Sequence, residues 1–191
     1  MSLIETMILG FLSEKPMCGY ELRKKMEQLQ GYARTFSDGA VYPATKRMVE
    51  SGLIAQRDEV RDGRQRREFS LLDAGRSRLV ETLRDAHGFN ITDSNRWSVI
   101  LTFLSIVPDP DDRDAVLRRR YDYLNETSIH FFYCDSGRAL ETREIDDPYR
   151  RGIIALHDQQ VVAEIRWLES MLGSGVSSQG GKKESKDVGD C

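Results

Sequence analysis

The sequence predicts a mainly α chain: an N-terminal winged helix, made of three helices and a β-hairpin wing, followed by a C-terminal helical dimerisation domain. Three observations carry that fold class. Apolar residues recur at helical spacing three times before residue 52. Two alternating runs then flank Asp62-Gly63, a strong turn signal, with arginines crowding the turn. From Asp93 onward only helical rhythm remains, and it ends in a stripe close to a coiled-coil seam.

The first helix is marked by Ile4, Met7, Ile8, Phe11 and Leu12, and Pro16 and Gly19 punctuate its end. Tyr20, Leu22, Met26 and Leu29 mark the second, closed by Gly31. The third begins near Ser37 to Gly39, with Ser37 or Asp38 able to cap its free N–H groups, and ends at Ser51-Gly52. Pro43 inside it is tolerable if the helix starts late, near Gly39, because an interior proline loses a hydrogen bond and clashes backwards. Val41, Ala44, Met48 and Val49 can face inward, leaving Tyr42, Pro43, Lys46, Arg47 and Glu50 on other faces.

Leu53 to Arg61 and Arg67 to Leu72 are the two wing strands. Asp73 to His87 reads as a fourth helix, capped by Leu72 or Asp73, with Leu79, Val80 and Leu83 inside. Trp97, Ile100, Leu101 and Leu104 mark a further helix that Pro108-Asp109-Pro110 stops. The acidic run from Asp109 to Asp114 suits a helix N-terminus, whose dipole favours negative charge. Leu117, Tyr121, Leu124, Ser128 and Phe131 mark a long helix, with Tyr123, Phe132 and Tyr133 adding aromatic bulk. Asp147-Pro148 starts the last, whose stripe is Ile154, Val161, Ile165, Leu168 and Leu172. Three such amphipathic helices are too few for a free-standing bundle, so they are expected to pair with a second copy of the chain. The expected organisation is a winged helix over 1–88, a helical domain over 93–172, and a disordered tail over 173–191, rich in Gly, Ser and Lys.

Charge is placed unevenly. The whole chain carries −3, yet residues 1–87 hold 15 Lys and Arg against 13 Asp and Glu, and the remainder holds 13 against 18. The basic surplus lies in front, densest at the hairpin. Binding depends on where charges sit rather than on their sum. A helix with a polar, basic face beside an arginine hairpin suits a protein that lays one element in a DNA groove and braces the other on phosphates.

Other classes find no footing. No apolar run approaches the roughly 20 residues of a membrane-spanning helix, and the first residues lack the basic end and long apolar block of a secretion signal. Cys18, Cys134 and Cys191 are far apart, as are His87, His130 and His157, so no metal-ligand spacing is present. The cysteines read as incidental thiols of a reducing cytoplasm. No phosphate loop, nucleophile elbow or Cys–His pair points to catalysis. No cofactor is expected.

Four segments resemble the PadR family of bacterial transcriptional regulators: Gly19-Tyr20-Glu21-Leu22; Ser37-x-Gly39-x-x-Tyr42-Pro43-Ala44-x-Lys46-Arg47; Gly52-Leu53-Ile54; and Gly63-Arg64-x-Arg66-Arg67-x-Phe69-Ser70-Leu71-x-x-Ala74-Gly75-Arg76. The likeness is specific over about Leu3 to Leu83 and covers only the helical layout over Asp93 to Leu172. Ala40, Val41, Thr45, Glu68 and Leu72 depart from the usual pattern; Ala40 and Glu68 lie near the expected DNA surface, where they bear on sequence preference. The resemblance implies a homodimeric, cytoplasmic repressor that binds an inverted-repeat operator in double-stranded DNA and is released by a small aromatic effector.

The expected DNA contacts are Ser37, Ala40, Tyr42, Pro43, Lys46 and Arg47 of the third helix, with Arg64, Gln65 and Arg66 of the wing. Lys46 and Arg47 suit phosphate or guanine. Trp97, Tyr121 and Trp167 are candidates for an effector pocket, and the same aromatic residues also suit a packed dimer seam. A second class of function stays open beside the regulator: a winged helix recruited as a protein-interaction module without operator binding. The acidic total and Glu68 favour it, and the arginine hairpin speaks against it.

Overall fold

The computed structural model describes residues 1–31, 35–36, 38–61, 64–126 and 130–176. The chain runs α1 (Leu3–Leu12), β1 (Met17–Cys18), α2 (Gly19–Leu29), α3 (Asp38–Glu50), β2 (Ile54–Arg61), β3 (Arg64–Leu71), α4 (Asp73–Arg84), α5 (Phe89–Thr92), α6 (Ser94–Phe103), α7 (Pro110–Glu126) and α8 (Pro148–Val176). Helix, helix, helix, hairpin is the winged-helix order that the sequence predicts, with helices following it. No described helix is long and apolar enough to cross a membrane.

Two compact units divide at Val116 and Leu117, inside α7. In the first unit α1 is the central element. Met7, Ile8, Leu9, Phe11 and Leu12 are all buried, because α1 packs on α2, α3, α4 and α6 at once. Its start is fixed by a capping box: the Ser2 hydroxyl accepts from the Glu5 N–H, and the Glu5 carboxylate accepts from the Ser2 N–H at 3.1 Å. Gly10 leaves room for the Phe103 ring, which a Cβ there would approach to 2.5 Å. Phe103 also meets Phe11 edge-on, centroids 5.1 Å apart. These contacts draw α6 into the first unit, so that unit extends beyond the boundary at residue 88 that composition suggests.

The position of α3 is set by its buried face and its C-terminal end. Val41, Ala44 and Met48 are buried as expected, and Thr45 joins them, its hydroxyl donating to the Tyr42 carbonyl at 3.0 Å. At its C-terminus the Leu53 N–H reaches the Met48 carbonyl and the Gly52 N–H the Val49 carbonyl, with Gly52 at φ 69°, a left-handed cap that only glycine takes freely. The helix starts at Asp38, within the expected range, so Pro43 is its sixth residue and lies inside the first two turns. Its ring stands exposed, and the hydrogen bond it omits would have closed on Gly39 in the exposed first turn.

The sheet has three antiparallel strands in the order β1-β3-β2. Met17 pairs with Phe69 and Cys18 with Glu68, while β2 and β3 register from Ile54↔Leu71 to Arg61↔Arg64. The expected turn, Asp62-Gly63, lies outside the described residues. Strand β1 has no counterpart in the sequence reading. It ties the start of α2 to the wing.

The second unit differs from expectation in one element. The long helix ends at Glu126, and Phe131, Phe132 and Tyr133 lie in a small non-helical strap instead. There Tyr133 bridges to Ala139, the Leu140 N–H donates to the Phe132 carbonyl, and Gly137 turns the chain at φ 81°. Arg138 and Glu144 brace the strap with two hydrogen bonds, 2.9 and 2.7 Å. Helix α8 starts at Pro148 as predicted, with the Asp147 carboxylate accepting from the Tyr149 N–H at 2.8 Å. It continues to Val176, past the expected tail boundary at 173, and 177–191 lie outside the described residues.

Helix α8 is held to α7 by a bidentate pair. Arg120 places Nε and a terminal nitrogen 2.8 and 2.9 Å from the two Glu164 oxygens, with its side chain only 4% exposed. Ile154, Val161, Ile165 and Leu172 lie on the half-buried side of α8, and Leu168 is fully buried. The stripe that reads as a dimer seam in the sequence is therefore the less exposed side of α8 in the single chain.

Candidate nucleic-acid interface

Tyr42, Pro43 and Lys46 stand exposed on α3, and Ala40 is half-buried. Tyr42, Pro43 and Lys46 line a groove with Gln56 of β2 and Arg67 of β3, floored by Val49 and Phe69. A second groove joins the start of α2 to the wing, lined by Cys18, Gly19, Tyr20, Glu21, Tyr42, Arg66 and Arg67. Tyr42 and Arg67 border both. Tyr42 lies over Gly19, close enough that a Cβ there would be 3.7 Å from its ring. A continuous surface thus runs from Tyr20 across Tyr42 to Lys46, edged by Arg66 and Arg67.

The start of α2 is well fixed. The Cys18 N–H donates to Glu21 at 2.9 Å, while β1 pairs with β3 beside it. Arg23 lies over the Tyr20 ring at 5.6 Å. Cations from α3 and β3, two tyrosines and the N-terminus of α2 converge here. Such a surface can take a polyanion: phosphate oxygens by charge and hydrogen bond, and base edges by Lys46 and the Tyr42 hydroxyl.

Arg47 sits elsewhere. Its guanidinium lies 3.1 Å from Glu5 of α1, in a hollow that it shares with Met1, Ser51 and Arg78. Partial burial pushes the Glu5 carboxyl up; the Ser2 N–H, the Arg47 guanidinium and the Ser2 hydroxyl outweigh that, so it lies below its ordinary value. Lys46, by contrast, pairs among the described residues with the exposed Glu50 one turn on, at 3.9 Å. Arg64 and Gln65 occupy β3 opposite Arg61 and Val60. Their side chains, and the whole of Ser37, lie outside the described residues.

Two interface residues escape the sequence argument. Tyr20 reads there as a core marker of α2, yet it is 62% exposed. Arg67 belongs to the arginine cluster but gains its place only through strand register, which sets it on the Phe69 side of β3 facing the groove.

The three aromatic residues expected around an effector belong to both units. Trp97 is 4% exposed within the first unit. Tyr121 and Trp167 belong to the second unit, where the Tyr121 hydroxyl donates to Glu169 at 3.3 Å and Trp167 is 39% exposed on α8. A separate cavity of that unit is lined by His130, Phe131, Leu140, Glu141, Thr142, Arg143, Ile154 and Asp158, with Phe131 edge-on to His157 at 5.0 Å.

Known proteins bear on this surface. The sequence model of the Transcriptional regulator PadR-like family matches residues 8–81, from α1 through the wing into α4. Comparison with curated proteins gave no match. Among solved structures the chain is similar to TA0346 of Thermoplasma acidophilum, at 33% identity, covering 42% of this chain and 76% of that one, with a TM-score of 0.39. It is similar to Bacillus subtilis PadR, solved in complex with operator DNA, at 16% identity over 91% of this chain and 98% of that one, TM-score 0.45. It is also similar to smu.1604c of Streptococcus mutans UA159, at 17% identity over 91% and 92%, TM-score 0.41. With the match spanning the wing and the helices around it, the chain belongs, through residues 8–81, to the PadR-like family of transcriptional regulators.

Proposed function

We propose that this protein is a transcriptional repressor that binds an inverted-repeat operator as a homodimer and is released by a small aromatic effector. The observation that carries the DNA reading is the exposed surface joining Tyr42 and Lys46 of α3 to Arg66 and Arg67 of the wing. A two-fold protein matches a two-fold site, each winged helix reading one half. The exposed apolar side of α8, with Tyr149, Ile153, Leu156, Trp167 and Met171, supports the dimer, since solvated apolar stripes of that length mark association surfaces. For the effector, the support is the aromatic side chains of the second unit: Tyr121, Trp167 and the cavity beside Phe131. An effector acts only through a preference for the arrangement that does not bind DNA.

The test is fluorescence anisotropy with a labelled duplex taken from upstream of the protein's own gene, set against an unrelated duplex at the same salt. The expected preference is about 10³-fold or more. Equal affinity for both duplexes removes the operator reading. Absence of any binding at low ionic strength leaves the interaction-module reading in its place. Quenching of tryptophan fluorescence by phenolic compounds, with release of the duplex, is the expected effector response.

A further inference from the structure

We propose that α3 reads one exocyclic amino group, the N6 of adenine or the N4 of cytosine, through the backbone carbonyl of Gly39; the proposal rests on the operator reading above. In an α-helix each carbonyl accepts from the N–H four residues on. Four residues after Gly39 stands Pro43, inside α3, and proline has no N–H to give. The Gly39 carbonyl is thus an acceptor whose helical partner the sequence removes. Its surroundings leave it open. Gly39 carries no side chain, and both Gly39 and Pro43 are exposed. Tyr42, the other side chain bordering that turn, lies over Gly19 of α2. The Thr45 hydroxyl does not compete for donors or space there, since it is given to the Tyr42 carbonyl at 3.0 Å. A backbone carbonyl without its helical partner is satisfied by water or by a ligand.

What the carbonyl would meet follows from the chemistry around it. The cations of this surface, Lys46, Arg66 and Arg67, are donors only. Donors suit phosphate oxygens and the O6 and N7 of guanine. They cannot select a base that turns an amino group into the major groove; that takes an acceptor. Of the side-chain acceptors beside them, Glu50 faces Lys46 at 3.9 Å, and Gln56 stands across the groove on β2. Adenine and cytosine each present one amino group there, whereas guanine and thymine present a carbonyl oxygen. Against guanine or thymine the Gly39 carbonyl would set acceptor on acceptor and leave both unpaired, which is discrimination by a built-in mismatch. The position also fits. A recognition helix meets base edges with its N-terminal residues, and Gly39 is the second residue of α3. Gly39, Pro43 and Lys46 are spaced four and three apart, so they share one side of the helix. An uninterrupted helix reads bases with side chains alone, because its carbonyls are taken by its own N–H groups. Pro43 frees one carbonyl, and a backbone atom adapts less to a wrong base than a long side chain does.

The test is anisotropy titration of the full-length chain on the upstream duplex, cut to the segment that the protein protects from nuclease, with single bases replaced. In one arm each adenine in turn becomes purine, which lacks only the N6 amino group. In the other each cytosine becomes 2-pyrimidinone, which lacks only the N4 amino group. Every duplex is titrated with wild type and with Pro43→Ala, whose new N–H closes the helix on Gly39 and takes the acceptor away. Circular dichroism and thermal unfolding check that the variant is folded, and its midpoint should not fall, since alanine is the better helix former. Wild type is expected to lose affinity about 3- to 10-fold at one position in each half-site, the contribution of one hydrogen bond. The arm in which the loss falls names the base. For Pro43→Ala the natural and substituted duplexes should bind alike at that position, whatever the variant's overall affinity, because the cycle compares ratios. A wild type that tolerates every substitution overturns the proposal and leaves the operator preference standing, and so does a loss that persists undiminished in Pro43→Ala. Equal affinity for the upstream and unrelated duplexes removes the operator reading itself, and this proposal with it.

Discussion

Lys46 and Arg47 are neighbours in sequence and about 100° apart around α3, and that angle assigns them different work. Lys46 looks into the groove shared with Arg67, while Arg47 is drawn back to Glu5. Arg47 thereby ties α3 to α1, and its loss is expected to cost about 0.2–1 kcal/mol of stability, as for a largely exposed ion pair. The pH dependence follows from Glu5. Its folded carboxyl lies below the unfolded value of about 4.3, so the unfolded chain takes up the proton first. The stabilisation is complete above that value and is lost as pH falls through the folded one. Urea unfolding of wild type and Arg47→Ala should therefore differ at pH 7 and converge in acid, once the pH has passed below the folded value. In DNA binding the order reverses: Lys46→Ala should cost about 1–3 kcal/mol on the operator, and Arg47→Ala much less, in parallel anisotropy titrations. A second carboxylate gives a local reading of the strap. Glu144, hydrogen-bonded by the Arg138 guanidinium and the Glu141 N–H, is held down to about 2. Its side-chain carbon resonance should titrate there, and Arg138→Ala should return the midpoint towards the ordinary carboxylate range.

At the scale of elements, two glycines inside helices have opposite meanings. In α4, a Cβ at Gly75 would fall on the Leu53 carbonyl oxygen, a backbone atom already held by the Leu72 N–H at 3.1 Å. Neither partner can yield without moving the joint between α3, β2 and α4. Gly75→Ala should thus lose about 1–3 kcal/mol despite alanine's better helix propensity. In α8, Gly152 has nothing near its missing Cβ, so Gly152→Ala should gain about 0.5–1 kcal/mol. Thermal unfolding of the two variants should move the midpoint in opposite directions. The same contrast between local and distant constraint explains what was legible in the sequence. The run from Ile4 to Leu12, the Gly52 cap and the Asp147-Pro148 start are local signals, and each lies where the residues place it; the second wing strand starts at Arg64, three residues before the expected Arg67. Strand β1 is two residues long and exists only because Met17 and Cys18 meet Phe69 and Glu68, some fifty residues on. No periodicity can show in two residues. That pairing builds the groove beside α2, so Tyr20 and Arg67 could not be recognised as interface residues without it. Aromatic spacing prolonged α7 through Phe131 on paper, but the turn at Gly137 claims those residues for the strap. In α8 the sequence shows apolar residues on two sides, and spacing alone cannot say which side the chain keeps for itself. The Arg120–Glu164 pair decides it.

For the molecule as a whole, a net charge of −3 and the proposed DNA contact are compatible because the two are measured over different distances. Screening at physiological salt limits a charge to about 8 Å, so a phosphate bound at the wing would feel Arg66 and Arg67 first and the net charge of the chain little. At low salt the screening length grows, and the −5 carried beyond residue 87 begins to repel the duplex. Two opposed effects then act on affinity as salt is lowered. Counterion release strengthens binding with a slope of about −0.9 per neutralised phosphate, and long-range repulsion flattens the gain at the lowest ionic strengths. Arg66→Ala removes one cation from each winged helix, two in the proposed homodimer. If each meets a phosphate, the slope of log affinity against log salt should fall by about 2. The loss should be nearly equal for operator and unrelated duplex, since phosphate contacts carry no sequence. Lys46→Ala should instead lower operator affinity more than affinity for the unrelated duplex. A titration series at four salt concentrations, run on both duplexes with both variants, separates the two roles. An Arg66→Ala slope equal to that of wild type would take the wing off the phosphate backbone and leave α3 as the element in contact.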